Sequence, residues 1–176
     1  YLSFVVTMAR APVMYVHGNH DTGYAVTEPE GCDCIDGKIV EYRGLRILGV
    51  GGCVWYRPGD HQYTQKEMAK RLRRLRWQIA KYGGVDIVVT HAPPRGVGDG
   101  EDRAHQGFET FLELMDTYRP RYLLHGHVHL SYGRDRTRER EYHDTKVINV
   151  CEKYVLEIPD GEIGTWKKPN LIERVK

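Results

Sequence analysis

The sequence predicts an α/β domain. Three continuous apolar runs carry that prediction: "VMYVH" at 13–17, "VDIVVTH" at 85–91 and "RYLLHGHVH" at 121–129. Two amphipathic helical patterns separate them, and strands alternating with helices argue for this architecture. The 176 residues suffice for one compact core and are few for two, so a single domain over 1–176 is expected. With 40% hydrophobic and 28% charged residues the chain reads as an ordinary globular protein. A net charge of +2 means that any preference for a polyanion must be local.

No apolar run approaches the ~20 residues a membrane span needs, and residues 1–9 lack a basic start and a cleavage signature. No membrane partner is therefore expected. Cys32, Cys34, Cys53 and Cys151 include no second pair at zinc-ribbon spacing, and they read as free thiols in a reducing cytoplasm.

The elements follow in order. "YLSFVVTMARA" reads as the end of a helix entering the "VMYVH" strand. "KIVEYRGLRILGVGG" reads as two strands around a turn at Arg43-Gly44. "VWYRPGDHQY" is an aromatic-rich loop. Residues 64–82 form the clearest helix, opened by a capping box of Thr64 and Glu67 and ended by Gly83-Gly84. Met68, Leu72, Leu75, Ile79 and Tyr82 line its apolar face. Lys70, Arg71, Arg73, Arg74 and Arg76 on the other face read as solvated, because a nucleic-acid patch would need interleaved aromatics.

The Val/Ile run of "VDIVVTH" lacks alternation, which suggests burial on both faces. Phe108, Phe111, Met115 and Tyr118 mark a second helix closed by Pro120. "TKVINV" and "KYVLEI" read as a final hairpin, and "RDRTRER" as a charged loop.

Three of these strands stop at side chains suited to binding a metal: Asn19-His20-Asp21, His91, and His127 with His129. In α/β sheets, ligands gather just outside the carboxyl ends of strands. Residues two apart in an extended segment point the same way, whereas a turn at Gly126 would send His127 and His129 to neighbouring positions. Neutral imidazoles and an amide oxygen suit a borderline divalent ion such as Mn²⁺.

"GNHD", "THAPP" and "GHVH", in this order and each after an apolar strand, resemble the calcineurin-like metallophosphoesterases from about Pro12 to Ile158. The resemblance implies two facing mixed β-sheets flanked by helices. It implies two divalent metal ions, manganese, iron or zinc, and hydrolysis of a phosphomonoester or phosphodiester by attack of metal-bound hydroxide. Carried over to this chain, Asn19, His91 and His127 would bind one metal and His129 the other. His20 would protonate the leaving group, held by Asp21.

The family's D-x-H and G-D-x-x-D motifs do not occur before Asn19. The expectation is a domain lacking its first strands and helices, in a protein longer than this chain. Two dications about 3.5 Å apart repel by on the order of 20 kcal/mol at an effective dielectric near 20, which carboxylates normally offset. This chain alone is therefore expected to hold at most one weakly bound ion, at Asn19, His91 and His127, and to be inactive by itself. Apolar surface left uncovered would favour a homo-oligomer.

Among hydrolases, a metallo-β-lactamase-like reading fails because "HVHLSY" has Ser131-Tyr132 where that pattern needs Asp-His. The alternative from another class is a non-catalytic interaction scaffold with an incomplete metal site. Substrate contacts are expected from Arg57, with Trp55 and Tyr56, and from His105. A nucleotide or nucleic acid is compatible with these residues but not specified by them. His17 reads as a hydrogen-bonded strand-end residue.

Overall fold

The computed structural model describes residues 2–25, 27–129 and 137–164. Its centre is a six-stranded mixed sheet in the order β3-β4-β7-β8-β10-β9. These strands are β3 (Lys38–Tyr42), β4 (Leu45–Val50), β7 (Ile87–Thr90), β8 (Tyr122–His125), β9 (Glu139–Tyr142) and β10 (Thr145–Asn149). β4, β7, β8 and β10 run parallel, and an antiparallel hairpin closes each edge. The parallel strands therefore deliver their carboxyl ends, and the loops that follow, to one end of the sheet.

The first hairpin turns at Arg43 (φ 49°) and Gly44 (φ 80°). Left-handed backbone at both central positions matches the twist of the flanking strands. The second hairpin differs from expectation. β10 pairs with β9, which lies inside the charged "RDRTRER" segment and just beyond it, not with "KYVLEI". Residues 134–136 of that segment lie outside the described residues. The reason is geometric: β8 takes one edge of β10 and β9 the other. "KYVLEI" instead lays Tyr154, Leu156 and Ile158 across the sheet, against Ile87, Tyr122 and Ile148.

Helices cover the opposite face. α2 (Gln65–Tyr82) and α3 (Glu109–Tyr118) bury Met68, Leu72, Leu75, Ile79, Phe111 and Met115 against Leu48, Val88, Leu123 and Val147. The expected burial of the "VDIVVTH" strand on both faces follows from this double cover. The capping box of α2 is formed: Thr64 Oγ1 accepts from Glu67 N–H, and the Glu67 carboxylate accepts from Thr64 N–H. Tyr82, expected on the apolar face, is the last residue of α2 and is 37% exposed.

Ahead of the large sheet lie α1 (Leu2–Met8), β1 (Val13–Tyr15) and β2 (Cys32–Cys34). β1 and β2 form a separate two-stranded parallel sheet, and β5 (Cys53–Val54) and β6 (Gln62–Tyr63) a further short one. One ionic cluster ties the first pair to the rest. Asp36 accepts from Gly51 N–H at 2.7 Å and from Arg71 Nη2 at 2.8 Å, and it faces His17 Nδ1 at 3.4 Å. Arg71 is thus no solvated cation: it also donates to Gly51 O at 2.8 Å and lies over the Tyr63 ring. His17 sits where a hydrogen-bonded strand-end residue was expected. Among the described residues no helix is long and apolar enough to cross a membrane.

His125 closes β8 as a core residue, 1% exposed, with its Nδ1 3.1 Å from Gly126 O. Burial pushes its pKa down to about 4, although the Gly126 carbonyl pulls the other way. A histidine whose folded pKa lies below its unfolded value near 6.5 stabilises fully above that value, and its contribution is lost as pH falls. The metal-free protein is predicted to lose on the order of 3 kcal/mol through His125 between about pH 6.5 and pH 4. Urea titrations across that range should show the loss, and His125→Gln should reduce it while leaving the share that His91 and His127 contribute; an acid limb unchanged by the substitution would contradict the prediction.

Candidate metal centre

The loops at the carboxyl ends of β1, β7 and β8 bring Asn19, His91 and His127 together. His91 Nε2 lies 2.9 Å from Asn19 Oδ1 and 3.1 Å from His127 Nδ1. Residues 72 and 36 positions apart in sequence thereby meet at one nitrogen. Gly18 permits the approach. A Cβ there would stand 2.7 Å from His91 Cε1, so the imidazole lies directly against the backbone.

The chain reverses sharply at His127, whose φ is 65°, and Val128 N–H bonds back to Gly126 O at 2.7 Å. This resolves the geometry left open by the sequence. The turn separates the two histidines: His127 points to His91, while the exposed His129 places Nδ1 3.7 Å from Cys151 Sγ.

The protonation states follow from the partners. His127 Nε2–H donates to Ala104 O at 2.7 Å, which leaves Nδ1 as the lone-pair nitrogen. In the metal-free state His91 Nε2–H then donates toward both Asn19 Oδ1 and His127 Nδ1. Burial, with the neighbouring His127 second, pushes the His91 pKa down to about 3. Burial also lowers that of His127. Both rings are therefore neutral at physiological pH, the form that binds a metal.

The donor set fits a divalent cation in three respects. Donor–donor spacings near 3 Å match adjacent ligands about 2.1 Å from a common ion. All three atoms carry lone pairs once His91 takes its other tautomer. The outward nitrogen of His127 is held by a carbonyl, as metal-binding histidines usually are. Two imidazoles and an amide are nevertheless a sparse set. Among the described residues no three His, Cys, Asp or Glu side chains form a metal-binding group.

The remaining expected residues divide. His20 is exposed on the turn beside this cluster and close enough to depress the His91 pKa by its charge. Asp21 accepts from Gly18 N–H at 2.7 Å and so closes the Gly18–Asp21 turn. Among the described residues it makes no bond to His20, because its carboxylate folds back onto its own backbone. His105 stands with its ring 5.2 Å from that of His127, tied through Nδ1 to Asp102 at 2.8 Å. Arg57 is exposed and lies over the Tyr56 ring. Trp55 and Arg103 meet at the rim, ring to guanidinium, at 5.1 Å.

Sequence reasoning gave Tyr56 a substrate contact only. Its hydroxyl accepts from Asn19 Nδ2 at 3.0 Å, which turns the amide so that Oδ1 faces His91. A tyrosine in an aromatic-rich loop carries no sequence signal for that task. The loop 91–107 is equally purposeful. Asp99 accepts from Gly96 N–H, Gly107 N–H and Arg95, and this knot carries Ala104 and His105 onto His127.

The family model for calcineurin-like phosphoesterases matches residues 1–131. The Caenorhabditis elegans protein UPF0046 protein T07D4.2 is 29% identical over 121 residues, 66% of this chain and 28% of its own length. UPF0046 protein C25E10.12 of the same organism is 26% identical over 139 residues, 73% of this chain and 47% of its own. The chain thus spans less than half the length of either relative. The crystal structure of TT1561 of Thermus thermophilus aligns with a TM-score of 0.56 at 19% identity, covering 85% of this chain and 67% of that one. A second solved structure aligns at 0.60 and 17% identity, over 86% and 62% respectively, and both likenesses establish the fold.

Removing the Tyr56 hydroxyl should free the Asn19 amide to rotate. Tyr56→Phe is predicted to weaken divalent-metal affinity about tenfold without changing the melting temperature of the metal-free protein. Competitive Co²⁺ titration checks this, and equal affinities would contradict it. The chain belongs to the calcineurin-like phosphoesterase family.

Proposed function

We propose that this chain carries part of the catalytic centre of a metal-dependent phosphoesterase acting on a phosphomonoester or phosphodiester. The observation that carries the reading is the meeting of Asn19 Oδ1 and His127 Nδ1 at His91 Nε2, at 2.9 and 3.1 Å, beyond the strand ends. A bound divalent metal, of which the full-length protein would hold two (Mn, Fe or Zn), supplies Lewis-acid polarisation of the phosphoryl group and lowers the pKa of water.

The chain's own residues do the rest. Asn19, His91 and His127 would hold one ion, and His129, beside Cys151 and near enough to His127 to lower its pKa, would hold the second. His20, on the exposed side of the turn, donates a proton to the departing oxygen. Asp21 keeps the turn closed beneath it. His105, held by Asp102 beside His127, would contact the phosphoryl group, and Arg57, over the Tyr56 ring, would offer it a cation. Free cysteines support a reducing, cytoplasmic setting.

The scaffold reading rests on the sparse donor set noted above. The two readings differ in one variant. In the full-length protein, His20→Ala is predicted to lower the turnover of bis(p-nitrophenyl) phosphate by a factor of about 10²–10⁴ while bound metal stays the same. Absence of turnover in the native protein at full metal occupancy would favour the scaffold.

A further inference from the structure

The outer face of α2 combines charge with an unusual exposure. Lys66, Lys70, Arg73, Arg74 and Lys81 are all exposed. None of them forms an ion pair among the described residues, in contrast to Arg71. The only carboxylate on the helix, Glu67, is bound into the capping box. In their midst Trp77 is 85% exposed, the most exposed large apolar side chain described.

Helical geometry puts these groups on one surface. At 3.6 residues per turn the five cations and Trp77 fall within about 100° of arc, with Trp77 near the middle. The buried residues Met68, Leu72, Leu75 and Ile79 occupy the opposite side. From Lys66 to Lys81 the stripe runs about 22 Å along the axis. The sequence reading treated this face as solvated for want of an interleaved aromatic; Trp77 is that aromatic.

We infer that this face is a binding surface for single-stranded nucleic acid. The cations track the phosphodiester backbone and Trp77 stacks on an unpaired base, the combination by which proteins hold single strands without reading their sequence. An anionic membrane fits less well, because the apolar side of α2 is already buried in the core and one indole is the only apolar group offered. A duplex would leave Trp77 no accessible base face. The inference is independent of the phosphoesterase reading, since no residue of the metal centre takes part.

The test is fluorescence anisotropy of a labelled 15-nucleotide oligothymidylate against the full-length protein, with EDTA present so that no metal-dependent cleavage removes the probe. Binding in the micromolar range at low salt is expected, with log Kd against log salt sloping by roughly 2 to 3.5, for three to five phosphate contacts. Trp77→Ala should weaken binding about tenfold, and Arg73→Glu with Arg74→Glu at least as much. All three positions are exposed, so circular dichroism should remain unchanged. No binding at low salt would overturn the inference. So would binding insensitive to Trp77→Ala, equal and Trp77-independent binding of a duplex of the same length, or preference for phosphatidylserine vesicles.

Discussion

The site depends on one close approach. Residues 17–19 lie against the ends of β4 and β7 with no room for side chains at two points. A Cβ on Gly51 would stand 2.7 Å from His17 O, and one on Gly18 would strike the His91 ring. Without that contact Asn19 would not reach His91, and the two histidines would face each other with no third donor. The small β1–β2 sheet is anchored there by Asp36, whose carboxylate joins His17, Gly51 and Arg71 of α2. The same helix that covers the core thus fixes the position of the first ligand.

The electrostatics follow from this packing. Burial keeps His91 and His127 uncharged, which suits them to a cation and leaves no cost of displacing protons near neutral pH. The carboxylates around them are engaged elsewhere. Asp36 serves Gly51 and Arg71, Asp99 ties its loop, Asp102 holds His105, and Asp21 closes its turn. They build the walls and leave the cation to neutral donors. An amide and two imidazoles bring no negative charge, so a two-metal centre requires carboxylates beyond these.

Much of the fold was legible because hydrophobic period and capping chemistry are local. Thr64 and Glu67 announced α2, Arg43-Gly44 announced its turn, and the unbroken Val/Ile run announced a strand covered on both faces. The hairpin partner of β10 was not legible. "KYVLEI" has a strand's composition, but β10 has only two edges and both are taken. Arg71 looks like its neighbours in sequence, and only the placement of Asp36 across from it makes it an internal ion pair. In the site, the ligand-type residues stood out by lying at strand ends. Their supports did not: Tyr56, Ala104 and Asp102 act through position alone, and no residue type betrays them.

The central claim is that Gly18 lets His91 complete a three-donor site with Asn19 and His127. It is tested most directly by the equilibrium metal content of the native protein against Gly18→Ala and His91→Ala, measured by mass spectrometry of the native ions. The account predicts that each substitution removes one equivalent of bound divalent ion per chain while the far-ultraviolet dichroism is retained. Metal content unchanged in both variants would contradict it.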